Sequence, residues 1–235
     1  ITNLSPNYAR VSFSMWHAGH ALGQAAAGQL KAKTAVVGYT DFPPGKDSLA
    51  AFKTAFEGAS GKVIDEIPMG GANAVPDFTP FFQRAKDKKP DVFFVFVPAG
   101  DHSSAVVRTY GALGMRQAGI KLIGPGDITQ DIKLQAMGDS AVGLITAHHY
   151  NADLDNPANK KFVQEFQKEY GRLPTMYASQ AYDVALLVDA AVKQIGGKVE
   201  DKEALRKALV EAKFDATRGK FRFNTNNFPI QDYYL

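Results

Sequence analysis

Cysteine is absent from this sequence of 235 residues, which excludes disulfides, thiol catalysis and cysteine-ligated zinc. No apolar run approaches the roughly 20 residues that a membrane-spanning helix requires, so we expect no insertion into a membrane. Strong charge of one sign is also lacking, since 27 basic and 24 acidic residues leave a net charge of +3. So mild a balance gives no reason to expect nucleic acid as a partner.

Motifs for nucleotide binding and for hydrolase chemistry are missing as well. No Gly-x-Gly-x-x-Gly follows a predicted strand, which argues against a dinucleotide. Residues 38–46 come nearest to a phosphate-binding loop, but six residues separate Gly38 from Gly45 where the motif has four. There is also no Gly-x-Ser-x-Gly to present a nucleophilic serine. We therefore predict no cofactor and no catalytic residues.

The five histidines do not combine into a metal site. His17 and His20 stand three apart, as on one helix face, but no acidic residue lies nearby to complete a ligand set. His148 and His149 are adjacent at the end of the fifth predicted strand, and neighbours along a strand point to opposite faces, so they are a poor chelating pair. Packed or exposed side chains are the favoured interpretation, and no metal is expected.

A run of buried strand residues is the strongest positive signal. Residues 92–97 are all apolar and end at Pro98, a pattern typical of a strand buried on both faces of a parallel sheet. A polar loop follows at residues 99–102, and then a helical pattern for which Ser103 or Ser104 is the predicted N-cap.

Strands and helices alternate through residues 14–147. The predicted strands are residues 33–39, 62–67, 92–97, 121–124 and 141–147, and the predicted helices include residues 17–30, 46–58, 78–88 and 130–137. Because the connecting loops are short, this alternation predicts an α/β fold with a doubly wound parallel sheet and right-handed crossovers.

After residue 150 the pattern changes to helices. The predicted helices are residues 159–170, 177–195 and 201–212, and the predicted strands are residues 221–223 and 230–235. Helices with apolar faces need a partner layer, and this part of the chain supplies no sheet for them. We therefore expect residues 151–220 to be the helical part of a second α/β lobe whose N-terminal sheet is missing, and residues 221–235 to return to the complete lobe.

The carboxyl ends of parallel strands are where small ligands bind in open α/β sheets. Residues 98–102 follow the most buried strand and are the first candidate for ligand contact. His102 either donates to a ligand carboxylate or faces solvent at a helix N-terminus. Asp41, Asp101 and Asp127 each follow a strand, and each is either a helix N-cap or part of the same edge.

Seven segments, taken in order, carry a resemblance that covers essentially the whole chain. They are Tyr-Thr-Asp-Phe-Pro-Pro-Gly-Lys-Asp at 39–47, Pro-Asp-Val-Phe-Phe-Val-Phe at 90–96, Gly-Met at 114–115, Ile-Gly-Pro-Gly at 123–126, Asp-Ser-Ala-Val-Gly-Leu at 139–144, Gln-Ala-Tyr-Asp-Val-Ala at 180–185 and Gly-Lys-Phe-Arg-Phe at 219–223. The sequence thus resembles periplasmic solute-binding proteins of the Leu/Ile/Val-binding type. The resemblance implies two lobes, three hinge strands, a ligand closed between the lobes and delivery to an ABC transporter.

The resemblance also implies a set of ligand-contacting residues. They are Phe42, Pro43, Pro44, Pro98, Ala99, Gly100, Asp101, His102, Gly126, Asp127 and Tyr177. Pro44 and Ala99 stand where branched-chain binders carry tyrosines, and Gly126 stands where they carry the acidic residue that meets the ligand ammonium. These departures disfavour an α-amino acid, and the Asp-Phe-Pro-Pro-Gly loop looks like that of relatives that bind aromatic carboxylates.

The sequence therefore predicts a monomeric, non-enzymatic solute-binding protein of the periplasm, although the chain carries no signal peptide. Its predicted ligand is a small carboxylate, either an aromatic acid or a hydrophobic amino acid, and its predicted partners are ABC permease subunits. Two alternatives stay open: a ligand-sensing domain of a regulator or receptor on the same fold, and a cytosolic doubly wound enzyme. The enzyme would need a catalytic pair that the sequence does not offer.

Overall fold

The structure, a computed structural model, describes residues 5, 7–73 and 76–235, and the chain divides into two compact units. Ser14–His148 and Leu235 form the first, which we call the sheet unit. His149–Tyr234 and the described residues up to Phe13 form the second, the helical unit. The chain therefore passes between units after residues 13, 148 and 234.

The described residues of the sheet unit form a five-stranded sheet in the order β2-β1-β3-β4-β5, with each neighbouring pair parallel. The strands are β1 Thr34–Tyr39, β2 Lys62–Pro68, β3 Val92–Phe96, β4 Lys121–Pro125 and β5 Ile145–Ala147. The helices are α1 Met15–Gly28, α2 Pro43–Gly58, α3 Thr79–Asp87, α4 Asp101–Ala112 and α5 Asp131–Met137. Short 3-10 turns span Gly126–Thr129 and Gly138–Ala141. The prediction of a doubly wound parallel sheet is confirmed.

The two faces of the sheet carry separate cores, because side chains alternate along each strand. The ring of Phe93 lies 4.9 Å from that of Phe82 in α3, on the face that α3 and α4 cover. The next residue, Phe94, points the other way and stacks on Phe52 of α2 at 4.4 Å, on the face that α1 and α2 cover. Burial on both sides explains why β3 is apolar at every position.

Helices α1 and α2 approach each other closely because glycines line their contact. A Cβ atom added at Gly19 would lie 2.8 Å from the carbonyl oxygen of Ser48, and one at Gly23 would lie 2.6 Å from that of Phe52. Neither position has room for a side chain without movement of one helix against the other.

We expect Gly23→Ala to lower the free energy of unfolding by about 1–3 kcal/mol, since overpacking forces the backbone to shift. Gly28→Ala is the matched control in the same helix, because its added Cβ would meet no atom within 4 Å. That control should be neutral or stabilising by up to about 1 kcal/mol, because alanine favours helix more than glycine. Urea denaturation measures both, and equal unfolding free energies for the two variants would contradict the packing argument.

The helical unit contains α6 Pro157–Tyr170, α7 Met176–Gln194 and α8 Lys202–Glu211. It also contains an antiparallel hairpin of β6 Phe221–Phe223 and β7 Pro229–Gln231. Side-chain oxygens cap all three helices at their N-termini: Asn156 accepts from the N–H of Asn159, and Thr175 and Asp201 play the same role for α7 and α8.

Several predicted boundaries are wrong, and three of them concern β5, β7 and α4. The strand predicted at 141–147 is shorter, because residues 138–141 form a 3-10 turn and Gly143 has a positive φ of 79°. The strand predicted at 230–235 is β7, which pairs with β6 instead of continuing to the last residue. Helix α4 starts earlier than predicted, at Asp101, with Gly100 as N-cap in place of Ser103 or Ser104.

One face of α7 is apolar and exposed among the described residues. The side chains of Tyr177, Val184 and Val188 lie along it, and each is more than two-fifths exposed. This face borders a depression of about 760 Å³ whose other wall includes residues 7–12 and part of α8. Among the described residues, no helix is both long and apolar enough to cross a membrane.

Candidate functional site

The topology of the sheet unit places a switch point between β1 and β3. These strands are hydrogen-bonded neighbours, but β1 leads into α2 on one face of the sheet and β3 leads into α4 on the other. The two connections therefore diverge at the carboxyl edge, which is the switch point where open α/β sheets bind ligands.

An aromatic and proline wall follows β1. The backbone N–H of Thr40 donates to the carbonyl of Phe96 at 3.0 Å, which holds the start of this turn against the end of β3. The ring of Phe42 stacks on that of Phe96 with 6.0 Å between centroids. Pro43 and Pro44 were predicted in a loop, but they form the first turn of α2, where a missing N–H costs nothing.

A glycine sets the shape of this turn. A Cβ atom added at Gly45 would lie 2.0 Å from the carbonyl oxygen of Thr40, so the helix backbone and the end of β1 are in direct contact there. The N–H of Gly45 also donates to the carbonyl of Phe42 at 3.0 Å. The position of the Phe42 ring therefore depends on the absence of a side chain at residue 45.

The connection after β3 is shorter than predicted. It consists of residues 97–100, of which Pro98, Ala99 and Gly100 are half-buried. Gly100 has φ 103° and ψ −128°, a conformation that favours glycine, and its carbonyl accepts from the hydroxyl of Ser103 at 2.6 Å. Helix α4 begins at this edge, and the N-terminus of a helix favours negative charge.

His102 and Asp101, both predicted in the loop, lie in the first turn of α4 and differ in environment. His102 is only 8% exposed and meets the ring of Phe78 edge-on at 6.4 Å, so the solvent-facing interpretation of this histidine is wrong. Asp101 is exposed, and its carboxylate accepts from the ammonium of Lys133 at 2.9 Å. That hydrogen bond holds the pKa of Asp101 below its ordinary value.

A third group of residues follows β4 and β5. Asp127, in the 3-10 turn after β4, is 5% exposed, and His148, directly after β5, is 7% exposed. Gly126 presses against His148, since a Cβ atom there would lie 2.8 Å from the imidazole Cδ2. His148 was absent from the predicted ligand set, although its position immediately after a predicted strand was the signal that marks this edge.

All predicted ligand residues except Tyr177 therefore lie at the carboxyl edge of the sheet unit. Tyr177 lies in the helical unit, in the first turn of α7, with 45% of its surface exposed. The edge combines aromatic rings and prolines with a small number of buried polar groups, which suits a small molecule with a ring and one or two polar substituents. Among the described residues, no group of three or more His, Asp or Glu could hold a metal.

A doubly wound parallel sheet with such an edge is typical of proteins that bind a small molecule at the carboxyl ends of the strands. Residues 2–235 match the profile of a family described as periplasmic binding protein. The chain therefore belongs to the periplasmic binding protein family, and the resemblance of its seven segments to that family is confirmed. The family is one of solute-binding proteins.

Curated relatives and solved structures agree with this assignment. The Leu/Ile/Val-binding protein homolog 6 of Brucella abortus is 33% identical over 239 residues, covering all of this chain and 60% of that protein. A solute-binding protein of an ABC transporter from Rhodopseudomonas palustris BisB5, solved with 3,4-dihydroxybenzoic acid, is 38% identical with a TM-score of 0.89. Another from R. palustris, solved with 4-hydroxybenzoate, is 33% identical with a TM-score of 0.90.

The matched region is nearly all of this chain but only part of each relative. The two solved structures cover 99% of this chain, whereas the chain covers 63% of each of them. The chain thus spans about three-fifths of the length of the relatives that it matches.

Proposed function

We propose that this chain is part of an extracytoplasmic solute-binding protein that delivers a small aromatic carboxylate to an ABC importer. The observation that carries the proposal is family membership together with 38% identity to a relative that was solved with 3,4-dihydroxybenzoic acid. The protein binds its ligand without a catalytic step, acts as a monomer in the periplasm, and has the membrane permease subunits as partners.

The carboxyl edge of the sheet unit supplies the ligand contacts. Phe42 and the two prolines after it form an apolar wall for an aromatic ring, and the first turn of α4 faces the same edge with N–H groups and His102. Asp127 and His148 are polar groups suited to hydroxyl substituents on the ring. A ligand with a ring, an anionic end and a hydroxyl therefore matches the chemistry of this edge.

Hinged closure of the two lobes couples ligand binding to recognition by the permease. The ligand favours the closed state because its affinity for the closed state exceeds that for the open one. Exclusion of water on closure strengthens the few polar contacts, and Tyr177 is the contact that the second lobe contributes. The permease subunits then recognise the closed protein.

We further propose that residues 151–220 belong to a lobe whose sheet lies in a part of the protein outside this chain. The exposed apolar face of α7 supports this, because an apolar face of this kind needs a partner layer. The fraction of its relatives that the chain spans leaves length for such a sheet.

A branched-chain amino acid is the second candidate ligand. The Brucella relative named as a Leu/Ile/Val-binding protein homolog, 33% identical, favours it. Gly126 argues against it, because no carboxylate stands at the position that would meet an ammonium group, and the adjacent Asp127 is the nearest substitute.

Isothermal titration calorimetry on the full-length protein tests the ligand class, with benzoate, 4-hydroxybenzoate, a hydroxycinnamate and leucine as titrants. We expect at least one aromatic acid to bind with a Kd in the micromolar range or below, and leucine to give no heat at the same concentrations. Leucine binding without aromatic binding would replace the first candidate by the second, and binding of none would refute both.

A further inference from the structure

The three places where the chain passes between units converge on α7 within the helical unit. The passages follow Phe13, residue 148 and residue 234, so the helical unit contains the last residues before or the first residues after each passage. Two polar side chains of α7, Gln180 and Asp183, stand three apart and therefore lie on one side of that helix. Gln180 and Asp183 each begin a series of contacts that connects α7 to the segments next to the three passages.

Gln180 reaches the segment at the second passage. Its amide nitrogen lies 3.0 Å from Nε2 of His149, which is fully buried. The imidazole of His149 in turn contacts the other two segments, with its centroid 5.0 Å from the ring of Phe13 and 6.2 Å from that of Tyr233. Burial raises the pKa of Tyr233, so its phenol stays neutral in this cluster.

Asp183 reaches the first and third segments through Arg218. Its carboxylate accepts from Nε of Arg218 at 2.7 Å and from the backbone N–H of Thr217 at 2.8 Å. Nη1 of Arg218 then donates to the carbonyl of Val11 at 2.6 Å and to the side-chain oxygen of Gln231 at 3.0 Å. Asp183 and Arg218 are both 0% exposed.

The guanidinium remains charged in this site. Burial lowers the pKa of Arg218 from its ordinary value, while the adjacent Asp183 carboxylate acts in the opposite direction. A buried ion pair of this kind fixes the relative position of Asp183 and Arg218, because removal of either partner would leave an uncompensated buried charge.

We infer that Gln180 and Asp183 are positioning residues that fix the base of the hinge and thereby set the equilibrium between open and closed protein. The inference rests on the proposed function, since it assumes ligand-driven closure. His149 and Arg218 hold all three connecting segments to α7. The segments therefore bend only between these contacts and the sheet unit. Loosening one attachment widens the range of open conformations and makes closure more costly in entropy.

Variants that remove one attachment without leaving a buried charge unpaired test the inference. Gln180→Leu deletes the contact to His149, and Gln231→Leu deletes one of the acceptors of Arg218. Asp189→Asn is the control on the same helix, because its partner Lys193 lies on the exposed side. Since the chain has no cysteine, spin labels on Arg108→Cys and Lys168→Cys, one exposed position in each unit, report the separation of the units in the full-length protein.

The ligand added is whichever of benzoate, 4-hydroxybenzoate and the hydroxycinnamate binds most tightly in calorimetry. In wild type we expect this ligand to narrow and shift the distribution of distances between the two spin labels. The two leucine variants should give a broader distribution without ligand, an unchanged one with saturating ligand, and at least threefold weaker affinity. The control should match wild type in all three. If the leucine variants match wild type in distribution and affinity, or change only in Tm, the inference is wrong and the proposed function stands. If wild-type distances do not respond to the ligand, hinged closure and the inference fail together.

Discussion

Asp183→Ala is expected to lower the free energy of unfolding by about 3–5 kcal/mol, the cost of breaking a buried pair by removal of one partner. The variant leaves the Arg218 guanidinium at 0% exposure without its carboxylate, and it deprives the N–H of Thr217 of its acceptor. Urea denaturation followed by circular dichroism measures the loss, which should appear as a lower midpoint with the slope unchanged.

Asp189→Ala is the matched control, because it also removes an aspartate of α7 that pairs with a cation. The Lys193–Asp189 pair is exposed, and pairs of this i,i+4 type contribute roughly 0.3–0.5 kcal/mol. A loss at Asp183 no larger than that at Asp189 would mean that the buried network adds little to stability.

Gly45→Ala is expected to damage both the fold and the ligand site. The added Cβ would lie 2.0 Å from the carbonyl oxygen of Thr40, so either the end of β1 or the first turn of α2 must move. We expect a loss of about 2–3 kcal/mol in the free energy of unfolding, since overpacking typically costs that much. Because Phe42 lies between these two elements, we also expect at least tenfold weaker binding of the aromatic acid.

Gly58→Ala separates this local effect from a general effect of alanine in α2. It lies at the other end of the helix, and its added Cβ would meet no atom within 4 Å. Stability should rise slightly or stay the same, and the Kd measured by calorimetry should equal that of wild type. Retained affinity in a folded Gly45→Ala protein would show that the Phe42 turn does not contact the ligand.

The sheet unit was predictable because its signals are local. The apolar run of β3 and the short polar connections after each strand are visible within a few residues, and they determine a parallel sheet with converging loops. The predicted ligand residues of this unit follow from that topology, since a residue after a parallel strand must lie at the carboxyl edge. Errors were confined to the ends of elements, as at Gly100, where the N-cap offers no side chain to recognise.

The buried network of the helical unit was not predictable from the sequence. Asp183 and Arg218 are 35 positions apart, and Arg218 reaches Val11 across 207 positions. Nothing in the neighbouring residues distinguishes this arginine from the exposed ones, because its role depends on tertiary contacts alone. The burial of His102 was equally undetermined, since the sequence does not show that Phe78 comes from another connection to pack against it.

The uncovered apolar side of α7 has a practical consequence for handling. This side of the helix exposes three apolar side chains to water, those of Tyr177, Val184 and Val188. Because of this exposed apolar surface, we expect a polypeptide of residues 1–235 to bind hydrophobic dyes, to self-associate as its concentration rises and to bind chaperones during expression. The domain organisation proposed above predicts that a longer protein carrying the sheet of the second lobe does not bind the dye and elutes as a single sharp peak on gel filtration.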